Sequence, residues 1–284
     1  MPRVSTAELV KAALAAGHGV GAFNIIGLEH AEAIVLGAAR VDAPVILQIS
    51  HNCSDFHGGL EPIALAAMAI ARLASSPVAV HLDHARSEEL VYEAVELGID
   101  SVMFDASNMA DGDNIAATRR VTESCHARGV WVEAELGEVG GKDGVHSATA
   151  RTDPGAAARY VDATGVDALA VAVGSSHARP ERDAILDLDL VRRLAAAVPR
   201  PLVLHGSSGV PDELLAAAVA AGLTKINIAT QLNRVFTSAV RSTLATNQSM
   251  SDPRRYLEPG RDAVADEVER LLGFVAAVRW RSAS

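Results

Sequence analysis

The chain is poor in several things. Two of its 284 residues are cysteine, three are lysine and 4% are aromatic, and its formal net charge is −10. Cys53 and Cys125 lie far apart and form no CxxC pair, which excludes a disulfide framework and points to a reduced, cytosolic setting. No apolar run approaches the roughly 20 residues that a bilayer-spanning helix needs. The scarcity of positive charge argues against nucleic acid or an anionic membrane as the main partner. It leaves room for an anionic substrate, because a helix N-terminus and one or two arginines bind a phosphate locally. The opening STAELVKAALAAG is not read as a signal peptide. Ser5 and Glu8 fit a capping box, Lys11 falls inside the helix and Gly17 stops it.

What is present is 49% hydrophobic and dominated by Ala, Val and Leu, a composition suited to buried parallel strands under Ala-rich helices. The length suffices to bury a large core without a disulfide or structural metal. Short β-rich runs alternate with helical stretches throughout, the signature of a parallel sheet. Strands are expected at 20–25, 44–50, 77–83, 101–105, 130–135, 168–174, 201–206 and 225–229. Between them, SEELVYEAVELG carries Ser87 as a start and Gly98 as a stop. PDELLAAAVAAG has Pro near its first turn and Gly past its last. Eight βα units with no linker imply a (β/α)8 TIM barrel, residues 1–284 forming a single domain with an N-terminal capping helix and extra C-terminal helices.

In such barrels the chemistry gathers at the C-terminal ends of the strands. Here those ends read Asn24, Ser50, Asp83 with His84, Asp105, Glu135, Gly174 running into His177, then His205 and Asn227. One of the His81/His84 pair, together with His177 and His205, supplies three imidazoles on one rim. Any one alone is an ordinary core or loop histidine, but three beside Asp105 and Glu135 suit a catalytic zinc with an open position. The two-residue period puts His81 and Asp83 on one strand face and His84 on the other, so periodicity does not choose the ligand. HNCSDFHGG (51–59) is expected to be a loop facing the site, and His18, His30, His126 and His146 to be surface residues. LHGSSGVPDEL (204–214) and KINIATQLN (225–233) pass from strand to helix through turns whose N–H groups favour an anion, after the strands where barrels commonly hold phosphate.

With these residues the chain resembles the class II, zinc-dependent ketose-bisphosphate aldolases of the fructose and tagatose type. HLDHA, VEAELGEVGG, AVGSSHA, LVLHGSSGVP, TKINIAT and DPRRYLEPGRDA occur in family order across nearly the whole chain. The resemblance implies Asp83 as catalytic carboxylate, His84, His177 and His205 as zinc ligands, and Glu135 and Asp105 as alternate or nearby ligands. His81 then has no chemical role. The resemblance also implies that Gly206, Ser208, Asn227 and Thr230, with Asn24, Ser50 and Ala178, contact a phosphorylated sugar, and that Arg254 receives its second phosphate. A loop acid/base corresponds to Asp143. A monovalent cation (Na⁺ or K⁺) beside the phosphate and a homodimer or homotetramer are further implications.

The chain departs from the family pattern at four points, one being its ending LLGFVAAVRWRSAS, which is unlike the family's usual small, polar one. Asp143 stands where the family usually has Glu (Glu138 is the nearest substitute), and Ala178 where it has Gly. Ala229 matches tagatose-type members, where fructose-type enzymes carry Asp. The rival readings are a Schiff-base aldolase using Lys225, a zinc hydrolase, an aldolase for another phosphorylated keto sugar such as 5-dehydro-2-deoxyphosphogluconate, and a sugar-phosphate-binding barrel without turnover.

Overall fold

The computed structural model describes residues 3–136, 151–175 and 182–276. The chain opens with α1 (Thr6–Ala16), then runs β1 (Val20–Asn24), α2 (Leu28–Arg40), β2 (Val45–Ser50), α3 (His51–Phe56), α4 (Leu60–Leu73), β3 (Val78–Ala85) and α5 (Glu88–Glu96). It continues through β4 (Ser101–Phe104), α6 (Asp111–His126), β5 (Trp131–Glu135), α7 (Pro154–Thr164), β6 (Ala168–Ala170), α8 (Leu188–Ala197) and β7 (Leu202–Leu204). A 3₁₀ turn (Ser207–Gly209), α9 (Asp212–Ala221), β8 (Leu223–Ile228), α10 (Thr230–Thr246) and α11 (Pro253–Val275) complete it. All eight expected strands form, each parallel to its neighbours, and β8 closes on β1 as a (β/α)8 barrel. Among the described residues, no helix is long and apolar enough to cross a membrane.

Alternation along each strand builds two cores. Outward residues such as Phe23, Leu47, Ile49, Leu82 and Phe104 pack under the helices. Inward residues at the strand starts (Val20, Ala22, Ile46, Ala79, Met103, Trp131, Ala168 and Val203) meet Leu9, Val10 and Ala13 of α1, which stops the lower end. The expected capping box is present: Ser5 Oγ accepts from Glu8 N while the Glu8 carboxylate accepts from Ser5 N. Above the apolar layer lies a buried polar one of Gln48, His81, Glu133 and Lys225, and above that the site.

Three expectations are corrected. Residues 51–56 are helix, not loop, because Ser50 Oγ accepts from Cys53 N and caps it. His30 is buried, not on the surface: it lies on the inward face of α2 and stacks on Phe236 of α10 with ring centroids 4.7 Å apart. β6 and β7 are shorter than expected, so Gly174 and His205 lie in the loops just past them.

Candidate active site

The strand end HLDHA breaks its own alternation. β3 advances three residues, Leu82 to Ala85, while β4 advances two, Val102 to Phe104, a bulge of one extra residue. His84 takes a left-handed backbone at φ 51°, which is uncommon for a residue with a Cβ. The bulge turns both Asp83 and His84 toward the pocket, where strict alternation would have sent His84 outward. His81 stays inside the barrel with Nδ1 2.9 Å from Ser101 Oγ, and burial first, then the Lys225 charge, keeps its pKa well below the usual value.

His84 and His205 face each other. His84 Nδ1 lies 2.7 Å from Asp105 Oδ2, and His205 Nε2 lies 2.9 Å from Glu133 Oε1. Carboxylates only accept, so these ring nitrogens carry the protons. His84 Nε2 and His205 Nδ1 therefore present lone pairs toward one another at 3.0 Å. Two lone pairs at that distance call for a cation between them. Burial alone would lower the pKa of His84, yet Asp83, Asp105 and Glu135 together raise it to about 9. Burial opposes ionisation of Asp105 as well, but His84 and Ser107 hold its carboxyl well below the ordinary range. Glu135 is pushed up to about 8 by burial, with Asp105, Glu133 and Asp83 adding to it against His84.

The donor set fits a metal ion. Ligand atoms of Asp83, His84 and His205 lie within 4.8 Å of one another, as do those of His84, Asp105 and Glu135. Carboxylates behind both imidazoles are the usual support for metal-bound histidine. Asp83 Oδ2 accepts from Asn24 Nδ2 at 2.8 Å, and Asn24 Oδ1 in turn accepts from Gln48 Nε2 at 3.0 Å. Asn227 Nδ2 stands 3.0 Å from His205 Nε2 and 3.5 Å from Asp83 Oδ1. Since His205 Nε2 donates to Glu133, the Asp83 carboxylate is the acceptor left for that amide.

These groups open into a cavity of about 620 Å³ lined on one side by Ser50, His51, Asn52 and Arg86, and on the other by Gly206, Ser208, Asn227, Ala229 and Thr230. Gly206 is left-handed at φ 66° and turns the chain into the 3₁₀ segment. Ser208 Oγ accepts from Ala229 N and Gln231 N, at 3.3 and 3.2 Å, which ties that turn to the N-terminus of α10. Backbone amides and a 17-residue helix dipole thus face the cavity from the β7–β8 side.

The structure brings together Asn24, Ser50, Asp83, His84, Asp105, Glu135, His205, Gly206, Ser208, Asn227 and Thr230 at one rim. Arg254 is not among the cavity's lining residues: it starts α11, is 89% exposed and pairs with Asp252 at 2.8 Å. His177, Ala178 and Asp143, with Glu138 and His146, lie outside the described residues. Sequence reasoning missed Glu133, Gln48 and Arg86. The signal for the first two was the strand period, which sets Glu133 two positions before Glu135 and Gln48 two before Ser50. Lys225 points inward, but it is fully buried and its Nζ lies 2.9 Å from Glu133 Oε2. A Schiff-base nucleophile needs a free amine that substrate can reach, and this one has neither property.

The family model "Fructose-bisphosphate aldolase class-II" matches residues 4–278. Fructose-bisphosphate aldolase of Thermus caldophilus is 38% identical, covering 97% of this chain and 98% of its own. That of Geobacillus stearothermophilus is also 38% identical, over 93% of both chains. Among solved structures, the YdjI aldolase from Escherichia coli K12 superposes with a TM-score of 0.82 at 29% identity, over 95% of this chain and 96% of that one. A barrel with Asp83 and His84 on one bulge, His205 opposite and a glycine–serine turn beside them thus has aldolases as its relatives along nearly its whole length, and the chain belongs to the class II fructose-bisphosphate aldolase family.

Proposed function

We propose that this protein reversibly cleaves a ketose 1,6-bisphosphate, of fructose or tagatose type, into dihydroxyacetone phosphate and an aldehyde phosphate. The observation that carries the reading is the pair of lone-pair nitrogens on His84 and His205, 3.0 Å apart, with Asp83 beside them and an amide-rich turn across the same cavity. His84 and His205, with His177 from outside the described residues, would hold a zinc ion, with Glu135 within reach. Zinc held by these residues would supply Lewis acidity, polarising the substrate carbonyl and stabilising negative charge that develops beside it.

The chain's own residues do the rest. Asp83 takes the C4 hydroxyl proton in cleavage and returns it in condensation, with Asn24 fixing its carboxylate. Asp143 is assigned the proton at C3. Gly206, Ser208, Thr230 and the α10 N-terminus bind the phosphate of the three-carbon fragment, while Asn227 holds its hydroxyl groups. The names of the relatives favour fructose bisphosphate, and Ala229 on the cavity wall favours tagatose bisphosphate. A soluble enzyme working in the cytoplasm on small phosphorylated sugars is consistent with the acidic composition.

Triose-phosphate release from both sugars, measured before and after chelation and again after zinc is restored, tests this. Loss and recovery support the mechanism, and the ratio of the rates assigns the sugar. Activity that survives chelation overturns the zinc reading. A zinc-loaded protein inactive on both sugars overturns the substrate.

A further inference from the structure

We propose that the buried Glu133–Lys225 pair beneath the site is a positioning element, Glu133 setting the ring of His205 and Lys225 setting the amide of Asn227. The inference deepens the aldolase reading and rests on it. Both side chains are fully buried, with Lys225 Nζ 2.9 Å from Glu133 Oε2. Such a pair is a poor source of stability, since desolvating two charges offsets most of their attraction. What distinguishes this one is where the remaining atoms go. Glu133 Oε1 accepts from His205 Nε2 at 2.9 Å, and Lys225 Nζ donates to Asn227 Oδ1 at 2.9 Å.

Each bond removes one ambiguity. An imidazole has two tautomers and can rotate; the Glu133 carboxylate fixes the proton on Nε2 and leaves Nδ1 directed at His84. An amide can flip by half a turn. With Oδ1 held by an ammonium, which only donates, Asn227 must present Nδ2 to Asp83. Register puts the pair one layer below the site: Glu133 sits two residues before Glu135 on β5, and Lys225 two before Asn227 on β8. Bonded to each other, the two residues link β5, β7 and β8, so one ionic contact sets the geometry of a metal ligand and a substrate ligand together. Among the described residues, His81 also faces the pair, its Nε2 4.0 Å from Glu133 Oε2, and burial first, then the Lys225 charge, keeps its pKa well below the ordinary value.

The test compares E133Q, K225M and the neutral pair E133Q/K225M with the full-length zinc-loaded protein. Zinc affinity is read by chelator competition, ligand geometry by the cobalt(II) d–d spectrum, and kcat and KM by turnover. Calorimetry with dihydroxyacetone phosphate reads substrate affinity. E133Q is expected to weaken zinc about 10- to 100-fold and to shift the cobalt spectrum. K225M is expected to leave zinc affinity unchanged while raising KM and the dihydroxyacetone phosphate Kd about tenfold, the loss of one hydrogen bond to a charged group. Where a single substitution leaves a lone buried charge that prevents folding, the double variant carries the test, because it leaves none. It should fold and show both defects. A folded double variant with wild-type zinc affinity, cobalt spectrum and KM overturns the proposal and leaves the pair a structural contact only. Zinc affinity and the cobalt spectrum need no turnover, so failure of the aldolase reading is distinguishable from failure of this one.

Discussion

His84 Nε2 lies 3.0 Å from His205 Nδ1, and each ring has its other nitrogen on a carboxylate, Asp105 in one case and Glu133 in the other. The arrangement is shaped for a cation before any cation arrives. Zinc should therefore bind the folded chain and not the unfolded one. At about 100 times its Kd, zinc is expected to add about 2.7 kcal/mol of stability. Thermal melts across a zinc titration measure this, and H205A should abolish the response.

Asp83 makes its contacts through amides, Asn24 Nδ2 at 2.8 Å being the nearer. If it handles the C4 proton, D83A should lower kcat by about 10²–10⁴-fold, with zinc stoichiometry unchanged by metal analysis. A variant that also loses its zinc would show Asp83 to be a ligand instead.

The bulge on β3 makes a backbone prediction separable from chemistry. His84 sits at φ 51°, where Asn is tolerated and β-branched residues are not. In zinc-free protein, H84V should be less stable than H84N by about 1–2 kcal/mol, measured by urea denaturation. Equal stabilities would mean that the left-handed turn relaxes at no cost.

Gly174 stands just past β6 at φ 115°, and a Cβ there would lie 2.3 Å from Ile185 O. G174A should destabilise by about 1–3 kcal/mol, the usual range for strain and overpacking. A denaturation midpoint indistinguishable from wild type would show that the loop gives way.

Asp212 at the start of α9 bonds to both Arg182 and Arg270. Burial opposes its ionisation, but the two guanidiniums hold its pKa below the ordinary value. Its folded pKa is the lower one, so its contribution is complete above the unfolded pKa of about 4. It is lost as pH falls through the folded value. Stability measured from pH 6 downward should decline less steeply in D212N than in wild type.

Much of this was legible in the sequence, and the reasons are local. Eight alternating runs and the Ser5–Glu8 box depend on neighbours in the chain and appear as expected; polar residues end or follow most strands, although β6 stops at Ala170, short of Gly174. The choice between His81 and His84 was not legible, because a bulge arises from the pairing of β3 with β4 and leaves no mark on β3 alone. The helix at His51–Phe56 was hidden by its polar residues and the glycines that follow it, although Ser50 carried the capping signal. Glu133 escaped notice, and Lys225 was weighed only as a nucleophile, for a different reason. Each reads as an ordinary strand residue until closure of the barrel brings β5 and β8 to the same interior.

Closure at one end has its own effect. With Leu9, Val10 and Ala13 of α1 seated under the strand starts, the interior charges are insulated below, and the cavity opens at the other end. A substrate that fills the mouth seals them from salt and bulk water alike. The electric field at a bound substrate would then be set by fixed groups of the protein, and changes of ionic strength outside would act on arrival and departure, not on the chemical step.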